Sequence, residues 1–111
     1  MTFQAILSQF KSLSSGTEAF KQLKKDCEAL ILSGAATEES TALFLIYGFA
    51  RSYVLLYEDD PVTSEFSQAA KQQLIVYMEQ MNQAFQANDP AKILQAYNDV
   101  VQDYMKGQRV F

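Results

Sequence analysis

Residues 41–57 read TALFLIYGFARSYVLLY. Thirteen of these seventeen residues are apolar or aromatic, and one charge, Arg51, sits inside the run. A membrane span needs about twenty apolar residues. This run is shorter, carries an arginine in its middle and has amphipathic sequence on both sides, so it reads as the central helix of a bundle. On a 3.6-residue wheel it divides into three parts. Ala42, Leu45, Ile46, Phe49, Ala50, Tyr53, Leu56 and Tyr57 share a wide face suited to a core. Thr41, Gly48 and Ser52 form a stripe of small side chains. A mid-helix glycine costs roughly 1 kcal/mol against alanine, and close approach of a neighbouring backbone would offset that cost. Phe44, Tyr47, Arg51 and Leu55 remain on the side opposite the core.

The sequence around this run is punctuated at helical intervals. Phe3, Ile6, Leu7, Phe10 and Leu13 follow the i, i+3, i+4, i+7 spacing of one helical face, and Ser14-Ser15-Gly16 ends it. Thr17 is a capping residue followed by Glu18, and Phe20, Leu23, Cys27, Leu30 and Ile31 make the next stripe. Ser33-Gly34 closes that helix, and Thr37 with Glu38 and Glu39 is a start signal for the third. Asp60-Pro61 is a further start signal, with Thr63 or Ser64 as alternative starts. Phe66, Ala69, Ala70, Leu74, Tyr77, Met78, Met81 and Phe85 continue the period. Asn88-Asp89-Pro90 repeats the aspartate-proline signal ahead of Ile93, Leu94, Tyr97, Val100, Val101, Tyr104 and Met105. Gly107 ends the last helix, leaving a tail whose Phe111 either docks or stays free. No stretch alternates as a strand does. The expectation is a single all-α domain spanning residues 1–111, a compact bundle of five helices over 2–14, 17–33, 37–58, 61–88 and 90–106.

Composition narrows the chemistry. The chain has 111 residues, one cysteine and no histidine. A lone cysteine excludes an internal disulfide framework and suits a reducing, cytoplasmic compartment. A zinc site and a Ser-His or Cys-His nucleophile pair both need histidine or more cysteine. Cys27 lies on a core stripe and reads as a small apolar residue. No glycine-rich phosphate loop is present, and no cofactor is expected. The net charge of −4 is placed unevenly: residues 34–66 hold six acids against Arg51 alone. That acidity argues against nucleic acid and permits a basic protein partner. Glu58, Asp59 and Asp60 form a local acid cluster without the ligand spacing of a calcium loop.

With no catalytic constellation, these features point to a non-enzymatic protein-binding module. Its candidate contact residues are Phe44, Tyr47, Arg51, Leu55, Glu58, Asp59 and Asp60, since tyrosine and arginine are enriched at binding hot spots. The most concrete form is an acidic bacterial immunity or antitoxin-like protein that occludes the active site of a basic toxin. Two alternatives are a homodimeric regulatory or scaffold protein using the helix-three face, and a small carrier of apolar ligands with a cavity lined by tyrosine and methionine.

Overall fold

The computed structural model describes residues 1–34, 38–107 and 110–111. Among them the chain forms five helices: α1 (Phe3–Ser12), α2 (Thr17–Leu32), α3 (Ser40–Tyr57), α4 (Ser64–Ala87) and α5 (Pro90–Lys106). The all-α bundle expected from the sequence is present. The radius of gyration is 13.5 Å, close to the value of about 13 Å for a compact chain of this length.

The helix ends show which capping signals act. Thr2 Oγ1 accepts from the Ala5 amide at 3.1 Å, and Asp89 Oδ1 accepts from the Ala91 amide at 3.0 Å with Pro90 in the first turn of α5. The α4 start falls at Thr63, whose Oγ1 accepts from the Phe66 amide, and the Asp60-Pro61 pair lies before the helix. Both sites carry capping chemistry; the side chain that reaches an orphan amide decides between them. Thr17 does not cap α2. Gly16 precedes the helix with φ at +130°, and Thr17 is its first residue. The cap expected at Thr37 lies outside the described residues. Gly34 closes α2 with φ at +71°. Asn88 closes α4 with φ at +54°, a left-handed turn that asparagine tolerates better than most residues. This turn reverses the chain into α5.

α4 is the spine of the molecule. With 24 residues it rises about 36 Å. α1 runs antiparallel along it: Phe3 meets Phe85 edge-on, Lys11 pairs with Glu79 at 3.3 Å, and Lys71 Nζ donates to the Lys11 and Leu13 carbonyls. Lys71 thereby satisfies open carbonyls at the C-terminal end of α1 and also lies over the Phe10 ring. α2 and α3 form a second antiparallel pair. Phe20 stacks on Tyr53 at one end (centroids 3.8 Å apart, planes 12° apart), while Ile31 and Leu32 lie beside Phe44 and Tyr47 at the other. Phe10 against Phe20, and Tyr57 against Phe66, join the two layers. α5 lies along α4 and buries only Val100. The rest of its hold comes from Tyr97, Tyr104 and the docked Phe111, which packs among Phe49, Tyr77 and Tyr104.

Cys27 is fully buried, and burial pushes its thiol up from 9.0 to about 12. Tyr53 is also fully buried and pushed up by burial, and its hydroxyl has no hydrogen-bond partner among the described residues. A group whose pKa is raised by folding stabilises below its unfolded pKa and loses that contribution as pH climbs. The Cys27 contribution is therefore complete below pH 9 and falls between pH 9 and 12. By pH 10 ionisation of the unfolded thiol should remove about 1.4 kcal/mol. Urea titrations at pH 8 and pH 10 should show this loss in the parent chain and not in Cys27→Ala. Equal pH slopes for the two would mean the thiol ionises in place.

Candidate partner-binding face

α3 is the most apolar helix and the least enclosed for its composition. It is long and apolar enough, by length and composition alone, to cross a membrane, and a core helix of a soluble bundle passes the same test. Yet only 39% of its residues are buried. The buried set is Ala42, Leu43, Ile46, Phe49, Ala50, Tyr53 and Val54. Leu43 and Val54 replace Leu45, Leu56 and Tyr57 in the expected core face: Leu56 is exposed and the other two are half-buried. The physical reason is the choice of neighbour. α3 packs chiefly on α2, so its buried face turns toward α2 and brings Leu43 and Val54 inward. Among the described residues, no helix covers Phe44, Arg51 or Leu55, on the outward half of α3 that flanks α2.

That outward half holds the edge left over from the sequence pattern. Phe44 is 65% exposed and Leu55 67%, Arg51 is exposed, and Tyr47 is half-buried. The Phe44 and Tyr47 rings stack with centroids 6.4 Å apart. An exposed leucine of α2 extends the surface, Leu32 at 77% exposed beside Phe44 and Tyr47, while Leu56 is exposed on another face of α3. Single exposed leucines are ordinary, but a contiguous apolar surface is a mark of interaction sites. Ile31, Leu32, Phe44, Tyr47 and Glu28 line a shallow depression of about 170 Å³ on this side. Leu32 lies off the apolar stripe of α2, and that was the signal in the sequence pointing to it.

The acid cluster sits at the far end of the same helix. Glu58, Asp59 and Asp60 are all exposed. Glu58 is engaged by Lys21 at 2.5 Å, and that carboxylate raises the Lys21 ammonium above its ordinary value. Lys21 also meets Glu18 at 3.5 Å. Such exposed pairs contribute little to stability, but they reduce the charge a partner would meet. Asp59 and Asp60 make no ion pair among the described residues. Among the described residues no group of three or more acids or cysteines is placed to hold a metal ion.

The small stripe behaves differently from its sequence expectation. A Cβ on Gly48 would meet nothing within 4 Å, so among the described residues no neighbouring backbone approaches it. Gly48→Ala should therefore stabilise the isolated chain by up to about 1 kcal/mol, through helix propensity alone. Thermal denaturation checks this. A destabilised variant would show that some group packs against the glycine.

The tyrosines and methionines proposed for a cavity mostly serve the core: Tyr53, Met78 and Met81 are fully buried within one apolar cluster. No protein family matches this sequence, and no characterised protein or solved structure is significantly similar to it.

Proposed function

We propose that this chain is a protein-binding module that works without catalysis of its own, and that it engages its partner through the outward half of α3 and the adjoining end of α2. One observation carries the reading: the most apolar helix of the chain has an uncovered half presenting Phe44, Tyr47, Arg51 and Leu55. Aromatic anchors beside an arginine are the residues from which interfaces draw most of their energy. Self-satisfied helix backbones at this face leave side chains to do the recognition.

The immunity or antitoxin form of this reading draws on Asp59 and Asp60. Because Lys21 holds Glu58, steering of a basic toxin would rest on those two carboxylates, and the apolar face would supply most of the affinity. The test is site-specific photo-crosslinking in the native host, with benzoylphenylalanine placed at position 44 or 55 and, as control, at position 72 on the exposed side of α4. Adducts of one defined mass from positions 44 and 55, absent at position 72, are expected. Adducts that form equally at position 72, or at none of the three, would overturn the reading.

A further inference from the structure

We infer that the seam between α2 and α3 receives an amphipathic helix whose acidic residues lie one to two turns beyond its apolar anchors. The inference rests on the binding role proposed above and not on its basic-toxin form, whose carboxylates Asp59 and Asp60 line neither depression of the seam; it specifies a partner helix that is acidic where it meets the seam. Two depressions run end to end along this seam. The apolar one lies between Ile31, Leu32, Phe44 and Tyr47. The other, of about 330 Å³, lies among Glu18, Lys21, Lys24, Lys25, Val54 and Glu58. Arg51 stands between them on α3, one turn past Tyr47 and one turn before Leu55. From Phe44 to Val54 the helix rises about 15 Å, the length of three turns of a partner helix.

Charge sets the partner's sign. Lys21 is taken up by Glu58 and Glu18. Lys24, Lys25 and Arg51 make no ion pair among the described residues, and Glu28 is the one acid beside the apolar depression. Lys21, Lys24, Lys25 and Arg51 against Glu18, Glu28 and Glu58 leave the seam one cation in surplus within a chain of net charge −4, and outside the Lys21 pairs it presents three cations against one acid. Carboxylates on an incoming helix complement that surplus and would pair with arginine in bidentate fashion. An extended peptide is a poor occupant, because neither helix offers free backbone donors to pair with a strand. A second copy is also poor: an isologous contact about the middle of the seam would set Arg51 against its duplicate and Lys24 and Lys25 against the copy's apolar depression.

The test titrates the isotope-labelled chain with four probes at low salt and follows backbone amide shifts. The probes are a designed helix of about five turns with leucines at i, i+3, i+4 and i+7 and flanking glutamates, the same peptide with lysines for glutamates, anionic phosphatidylglycerol vesicles, and the unlabelled chain itself. The acidic peptide should saturate, with shifts confined to residues 21–32 and 44–58, at least about tenfold more tightly than the basic one. Lys24→Glu/Lys25→Glu/Arg51→Glu should reverse the preference while leaving the helical spectrum unchanged. Equal or tighter binding of the basic peptide, shifts outside the seam, absence of saturable binding, tighter binding to vesicles, or self-association through the same residues would each overturn the inference. Crosslinks at positions 44 and 55 together with no preference for acidic peptide would leave the proposed function standing and remove only this partner.

Discussion

Replacing Phe20 by alanine is expected to cost about 4 kcal/mol. Phe20 is fully buried at the point where three helices meet. Its ring stacks flat on Tyr53 of α3 and receives Phe10 of α1 edge-on at 5.5 Å. Truncation leaves a cavity bounded by two large rings that cannot both move in, so transfer and cavity terms add. Domains of this size hold only about 5–15 kcal/mol in all, and the variant should be close to unfolding at ambient temperature. Urea denaturation measures the loss. A cost under about 1.5 kcal/mol, well below the range for truncating a buried phenylalanine, would contradict the central place assigned to Phe20.

Phe111→Ala is the second large effect, about 3 kcal/mol, and its character differs. Phe111 is buried against Phe49, Tyr77 and Tyr104, and Tyr104 donates its hydroxyl to the Phe111 carbonyl at 2.6 Å. α5 itself has a single fully buried residue, Val100. Losing the ring should therefore loosen α5 ahead of the remainder, as a local opening. Hydrogen exchange should show α5 amides losing protection while those of α2 and α4 keep theirs. Uniform loss across all helices would mean that α5 and the core open as one unit.

The number and order of the helices were readable from the chain because the signals are local. A 3.6-residue apolar period and a turn residue at its end require no knowledge of neighbours. The rotation of α3 was not readable for the opposite reason. Leu43, Leu45, Val54 and Leu56 are equally apolar, and only the packing on α2 decides which two enter the core. Gly48 shows the same limit: its sequence context suggests a close approach that none of the described residues makes. The edge of Phe44, Tyr47, Arg51 and Leu55 was legible because an arginine marks a surface on an otherwise apolar helix. Its cationic flank was not. Charge counted along residues 1–33 is nearly balanced, and only the fold sets Lys24 and Lys25 beside the seam while Lys21 takes up Glu58.

The reading of this chain depends on one property, that the outward half of α3 is uncovered in the isolated molecule. Equilibrium unfolding of Phe44→Ser/Leu55→Ser, at two protein concentrations well apart, tests it most directly. If the face is free, both replacements fall on solvent-exposed positions. Stability should then stay within about 1 kcal/mol of the parent and be independent of concentration. A loss of about 3 kcal/mol or more, or a midpoint that rises with concentration in the parent and not in the variant, would place these side chains in a buried contact and contradict the account.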